Sequence, residues 1–433
     1  MTKEGTAETT KSAEIFKFCR ALPKVQLHEH LHGSVRESTL RDLLLSHRNG
    51  DSPGSTAADR DGSLGRYDDV IAAPGVDGGR LSLAECFAVF AAVHAAVRTV
   101  DDLRRIAREA LEDLAAAGVC YAEIRSTPRP MSVAGCASEG GGSCTLSEYI
   151  RVVTGVMREF EREEAERYRR DPGGRLPLVP RYIVSVDRSK GAGVAVEIAK
   201  AAVNFFKNER RNGSGDGDYV VGMDLGGNPH IGSFENDFEP AFRIAREAGM
   251  KVSIHCGEIP CGKSADEIDP SLKFAHDEAE AILSFRPDRL GHSLFLPTQA
   301  TERLASDPIP VECCPTSNVL TIGLAGEGND MVEGLRCHPG LPGWLAGNYP
   351  IVVSTDDPAV FGTDPARELA LLHLAFGVPE AELAKICLES IQYVFEESER
   401  RRADLLECMR GKINKLLPDN NIIMQRSWWW KKT

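Results

Sequence analysis

The chain reads as an α/β fold, a (β/α)8 TIM barrel with its active site at the C-terminal ends of the strands. Three observations predict this. Eight short apolar runs recur along the chain, with helix-like segments between them, and such alternation implies parallel pairing through βαβ crossovers. Polar and ionisable residues follow these runs at almost every C-terminal end, where this architecture places its chemistry. The length, 433 residues, accommodates one large catalytic domain. A doubly wound sheet alternates in the same way and is the architectural alternative.

Residues 1–13 are polar and are expected to form a disordered tail, ahead of a single domain over 14–418. Glu14 to Arg20 suits a short helix closing one end of the barrel. Val25 to Leu27 is the first strand, leading into His28 and His30. Arg36 to His47 has helical spacing, with Leu40, Leu43 and Leu44 on one face. Residues 49–80 are rich in Gly, Asp, Ser and Ala and read as an inserted mobile loop. Leu83 to Val97 and Asp101 to Ala117 are helical, the second ended by Gly118 as a C-cap.

Seven further strands follow. Val119 to Arg125 leads into Ser126, Thr127, Pro128 and Arg129. Arg181 to Val186 leads into Asp187, and Tyr219 to Leu225 into Gly226, Gly227 and Asn228. Lys251 to Ile254 leads into His255, Cys256, Gly257 and Glu258. Arg289 to Gly291 leads into His292, Ile309 to Cys314 into Pro315, and Ile351 to Thr355 into Asp356 and Asp357. Further insertions are expected near 134–146 and 208–218. Residues 419–433, with Trp428, Trp429 and Trp430 beside two lysines, read as a frayed tail.

Composition narrows the function classes. Apolar content of 42% and charged content of 27% are ordinary for a globular chain. A net charge of -13 with no offsetting basic block argues against nucleic-acid and membrane partners. An anionic small substrate would need a local basic pocket. The twelve cysteines lack framework spacing, so reduced thiols are expected. No apolar leader or membrane-length run is present in the sequence, and the simplest expectation is a cytoplasmic monomer.

His28 and His30 stand at i and i+2, which on a strand puts both imidazoles on one face. Hydrogen-bonded core histidines are one explanation. Ligands of one divalent metal are the better one, because His255 and Asp356 end other strands and complete the set. Three imidazoles and one carboxylate suit zinc with a position open for water, whose pKa bound zinc lowers to near ~7. Glu258, three residues after His255, is placed as a general acid beside the metal. His292 can face the water as base or electrostatic partner. Asp357 must point away from a metal held by Asp356 and is free to hold substrate.

These residues lie in motifs. His28-Glu-His30, Asp224-Leu-Gly-Gly227-Asn, His255-Cys-Gly-Glu258, Gly291-His292 and Ser354-Thr-Asp356-Asp357 resemble the motif series of the adenosine/AMP deaminase family. The resemblance runs from about Leu22 to Leu417, apart from the insertions. Glu85-Cys-Phe with His94, and Glu123-Ile-Arg-Ser126-Thr-Pro-Arg129, resemble the adenosine deaminase-like branch that acts on N6-methyl-AMP. The resemblance implies zinc on His28, His30, His255 and Asp356, with His292 polarising or deprotonating the water. It implies hydroxide attack at purine C6, protonation of the adjacent ring nitrogen by Glu258, and loss of the C6 amine. It places Asp357 and the Gly227 backbone on the purine. The zinc deaminases of the cytidine type carry Pro-Cys-x-x-Cys, which this chain lacks.

A 5′-phosphate needs cationic and hydroxyl donors. The branch resemblance implies that the turn of Ser126, Thr127, Pro128 and Arg129 supplies them, and that His30, His94 and Asp187 contact the nucleotide. One departure is His32, where the family has Asp or Asn. On the strand face of His28 and His30, it would reach ribose or phosphate, and a partly protonated imidazole would favour phosphate. The expected reaction is conversion of N6-methyl-AMP to IMP and methylamine. Adenosine deamination, an inactive nucleotide-binding barrel and a different amidohydrolase reaction are the alternatives.

Overall fold

The computed structural model describes residues 3–48, 83–132, 143–212, 219–262, 270–325 and 330–418. Eight parallel strands follow one another in sequence order: β1 (Lys24–His30), β2 (Val119–Ser126), β3 (Val179–Asp187), β4 (Val220–Gly226), β5 (Lys251–Cys256), β6 (Arg289–His292), β7 (Val311–Cys313) and β8 (Ile351–Val353). Just past β8, the ring joins back to β1. The Asp356 N–H donates to the His28 carbonyl at 3.0 Å, and the His30 N–H donates to the Asp356 carbonyl at 2.9 Å. This is the (β/α)8 barrel that the alternation predicts.

The strands are covered on both faces, inside by side chains and outside by helices. Parallel strands so placed are apolar without a clean alternation, as the sequence shows. The surrounding helices carry one apolar stripe. The Val100–Ala116 helix buries Leu103, Ile106, Ala107, Ala110, Leu111 and Leu114, and Thr99 with Asp102 closes its start as a capping box. Thr145 and Glu148 do the same for the Leu146–Arg170 helix. Pro315 and Pro358 each follow a strand end and open a short helix, since proline cannot continue a ladder but suits a first helical turn.

The barrel rim is strained where the chemistry is expected. Of the five non-glycine residues with positive φ among the described residues, three are His292 (57°), Ser293 (55°) and Asp356 (66°). L-residues there carry a steric penalty that surrounding structure must hold in place. Gly33 is obligatory beside them, because a Cβ there would overlap the Asp357 carboxylate.

Several boundaries differ from the sequence reading. The first helix runs Lys3–Ala21, so residues expected in a disordered tail are helical. The helix after β3 continues to Asn212, into a stretch read as loop. The expected insertion over 49–80, the 134–142 part of the one over 134–146, the 213–218 part of the one over 208–218, and the tail 419–433 lie outside the described residues. No described helix is long and apolar enough to cross a membrane.

Candidate active site

β1, β5 and the β8 end bring four donor atoms together. The His28 Nδ1 lies 2.7 Å from a Glu312 carboxylate oxygen. A carboxylate only accepts, so the His28 proton sits on Nδ1 and its Nε2 is bare. That Nε2 is buried, has no hydrogen-bond partner, and stands 3.2 Å from Asp356 Oδ1. His255 repeats the arrangement. Its Nδ1 is 3.1 Å from Asp224 Oδ1, and its Nε2 is 3.2 Å from the Nε2 of His30. Burial opposes its charge, but Asp224 outweighs this and raises the ring to about 9, so a metal here would displace the Nε2 proton. The His30 Nε2 is 3.4 Å from Asp356 Oδ1. Bare imidazole nitrogens and a carboxylate oxygen converging in a dry site repel one another unless a cation lies between them. The donor set fits a divalent metal.

Behind the donors lies a fully buried ionic network. Arg125 donates from Nη1 to Asp224 at 2.9 Å and from Nη2 to Glu312 at 2.8 Å. One guanidinium therefore ties together the two carboxylates that orient His28 and His255. Arg289 at 2.6 Å and the Ser253 hydroxyl at 2.9 Å bind the other Glu312 oxygen. Burial opposes the Glu312 charge, but Arg125 and Arg289 outweigh it and hold the carboxyl well below its usual range. No role was assigned to Arg125, Asp224 or Glu312 from the sequence. The available signal was a charge set inside an apolar strand run, where parallel barrels have no solvent to offer it.

Glu258 and His292 face the same space. Gly257, with φ of 67°, turns the chain after β5 so that a Glu258 oxygen stands 3.8 Å from His292 Nε2. His292 Nε2 is also 4.0 Å from Asp356 Oδ2, whose position the Ser317 hydroxyl fixes at 2.7 Å. His292 thus lies close enough to join His28, His255 and Asp356 as a ligand group on distance alone. Asp357 is buried against Gly33. Burial and the adjacent Asp356 carboxylate push its carboxyl well above the ordinary range.

A cavity of about 350 Å³ opens from this cluster, a size suited to a small-molecule ligand. Its lining includes His30, His32, His94, Ser126, Thr127, Asp187, Gly227, Glu258, His292 and Asp357, all of them candidates from the sequence. Gly227 has φ of 89°, and a Cβ there would lie 2.5 Å from Asp187 Oδ1, so its backbone faces the cavity bare.

Three expectations are corrected. His32 is not on the β1 face, because β1 ends at His30 and His32 opens a short 3-10 turn. Its ring packs edge-on against His94 at 4.4 Å. Burial first, then the neighbouring His94 and Arg129, hold its imidazole well below the usual value, which disfavours the protonated form that a phosphate would recruit. Arg129 and Pro128 do not line the cavity. Arg129 donates to the carbonyls of His94 at 3.0 Å and Val97 at 2.7 Å, bracing the end of the Leu83–Ala96 helix. The Ser126 hydroxyl is also committed. The Tyr182 O–H donates to the Ser126 carbonyl at 2.9 Å, so at 3.0 Å Ser126 donates to the Tyr182 oxygen. Tyr149 donates to Ser126 in turn at 3.2 Å.

Thr127 and Lys190 also line the cavity and supply it with a hydroxyl and a cation. Lys190 is exposed, lines the cavity, and has no acidic partner among the described residues. Its charge reaches His94, which burial first, then Arg129 and Lys190, hold down to about 3. Lys190 carries no distinguishing signal in the sequence, since a lysine after a strand end is usually solvated.

The family model described as adenosine deaminase matches residues 23–410. The chain is 30% identical over 384 residues to the N6-methyl-AMP deaminase of Danio rerio, covering 87% of this chain and 92% of that protein. It is 29% identical over 386 residues to the N6-mAMP deaminase of Arabidopsis thaliana, covering 88% and 95% respectively. The crystal structure of Arabidopsis ADAL complexed with IMP is similar at a TM-score of 0.71 and 26% identity, covering 92% of this chain and 99% of that one. With the family match running from β1 past β8 and across the whole site, the chain belongs to the adenosine deaminase family and is a hydrolytic deaminase acting on C–N bonds.

Proposed function

We propose that the protein is a zinc-dependent purine nucleotide deaminase that hydrolyses N6-methyl-AMP to IMP and methylamine. The observation that carries this reading is the cavity itself. Its lining combines a metal-ready His/Asp cluster with a hydroxyl and a cation that has no acidic partner among the described residues, Thr127 and Lys190, as a 5′-phosphate requires. Relatives bearing the name N6-methyl-AMP deaminase and a similar structure holding IMP support it. Zinc on His28, His30, His255 and Asp356 would lower the pKa of bound water and supply hydroxide at neutral pH.

The chain's own residues do the rest. Glu258 gives a proton to the ring nitrogen beside C6, which makes that carbon electrophilic. His292 faces the oxygen that adds to C6. Asp357 and the Gly227 backbone hold the purine edge, and Thr127 and Lys190 hold the phosphate. When the C6–N bond breaks, methylamine leaves and the C6 carbonyl of IMP forms.

The test is turnover of N6-methyl-AMP, AMP and adenosine side by side by zinc-loaded protein, following amine release. Selective turnover of N6-methyl-AMP is expected. Preference for adenosine would make the protein an adenosine deaminase proper, and zinc-bound protein inert to all three would make it a binding barrel. Lys190→Ala is expected to raise KM for N6-methyl-AMP by roughly tenfold, the worth of one charge-assisted hydrogen bond, with little change in kcat. The KM for N6-methyladenosine should not move. Equal effects on nucleotide and nucleoside would remove Lys190 from the phosphate site.

A further inference from the structure

Behind His292 runs a chain of hydrogen bonds that the mechanism above does not use. His338 and Asn318 are both buried, 2% and 0% exposed. The backbone N–H groups of Gly340 and Leu341 both point at His338 Nδ1, at 3.1 and 2.9 Å. Nδ1 is therefore an acceptor and carries no proton. Burial pushes His338 down to about 4, so at neutral pH its one proton sits on Nε2. That Nε2–H lies 3.0 Å from the Asn318 carboxamide and needs an acceptor there.

The two ends of a carboxamide are isosteric, so hydrogen bonds decide its orientation. As placed, the Asn318 oxygen lies 3.0 Å from His292 Nδ1 and its nitrogen 3.0 Å from His338 Nε2. That orientation sets two donors face to face. Rotating the amide removes the conflict. The oxygen then accepts from His338 Nε2–H, and the nitrogen donates to His292 Nδ1.

We propose that His338 and Asn318 are positioning residues that hold His292 as the tautomer with its proton on Nε2, directed into the cavity. That nitrogen faces oxygens of Glu258 at 3.8 Å and Asp356 at 4.0 Å, which agree with a donor there. The tautomers then sort the histidines. His28 and His255 give their Nδ1 protons to carboxylates and turn bare Nε2 atoms to the metal. His292 is the reverse, so it is neither a ligand nor a base in the resting state. It offers an N–H to the oxygen forming at the reacting carbon. This rests on the purine deaminase reading for its purpose, but not for its geometry.

The test is 15N NMR of histidine-labelled protein, with and without zinc, assigned by loss of the His292 signals in His292→Gln. The expected spectrum shows His292 unprotonated at Nδ1 and protonated at Nε2 in both states. A proton on Nδ1 would overturn the proposal whatever the activity. Asn318→Asp provides the second arm. Its carboxylate accepts from both neighbours, which moves the His292 proton to Nδ1. The expected result is that reversed signature, unchanged zinc content, and kcat lower by at least about 100-fold. A near-normal kcat would overturn the proposal. Should the tautomer stand while no purine is turned over, the substrate reading fails and this one does not.

Discussion

Glu258→Gln is expected to abolish turnover while the protein keeps its zinc. The substitution preserves volume and hydrogen-bonding shape but removes the carboxyl proton that the ring nitrogen must receive. General acids contribute roughly 10²- to 10⁴-fold, so kcat should fall by at least about 100-fold. Glu258 is not among the His and Asp residues whose donor atoms lie together as a possible metal group among the described residues, so metal content is expected to survive the change. Metal content by elemental analysis and kcat for N6-methyl-AMP settle the matter together. Near-normal rates in the metal-loaded variant would remove Glu258 from acid catalysis. Loss of zinc in step with loss of activity would show a ligand instead.

The barrel was legible because parallel strands leave a plain mark, short apolar runs ended by polar residues. The strand ends agree to within one residue at Ser126, Asp187 and His292, while β1 runs three residues past the expected Leu27, to His30. The metal-ready residues were legible for the same reason, since each sits at a strand end and the fold gathers strand ends. What the sequence hid was direction. His32 looks like a continuation of the His28 and His30 face, but β1 stops at His30 and the chain turns. Arg129 looks like the phosphate cation, yet it does not line the cavity and its Nη2 braces the carbonyls of His94 and Val97 at the end of a helix. Ser126 looks like a free hydroxyl, yet its proton goes to the buried Tyr182 and its oxygen accepts from the buried Tyr149. Each error concerns where a donor points, and that depends on residues distant in sequence. The expected polar tail failed differently. Residues 3–13 lack a strong apolar stripe, but they extend a helix that is packed from Ile15 onward.

The largest structural effect is expected from Glu312→Ala. Glu312 accepts from His28, Arg125, Arg289 and Ser253 at once. Removing its carboxylate leaves two buried guanidinium charges short of a partner, and breaking a buried pair in this way costs about 3–5 kcal/mol. It also frees the His28 proton to move from Nδ1 to Nε2, which closes the nitrogen that must face the metal. Loss of such an orienting group lowers metal affinity by roughly 10- to 100-fold. The two effects part company in Glu312→Gln. The amide oxygen can still accept from His28, so metal affinity should fall less than in the alanine variant. The charge is gone, however, and Arg125 and Arg289 each lose one of two carboxylate partners, keeping only Asp224 and Glu123, so most of the stability loss should remain. Urea unfolding of the metal-free variants measures the first effect, and competition with a chelator measures the second. If Glu312→Gln recovers stability but not metal affinity, charge neutralisation is not what Glu312 supplies. If Glu312→Ala binds zinc like the native protein, His28 is not the nitrogen that this carboxylate prepares.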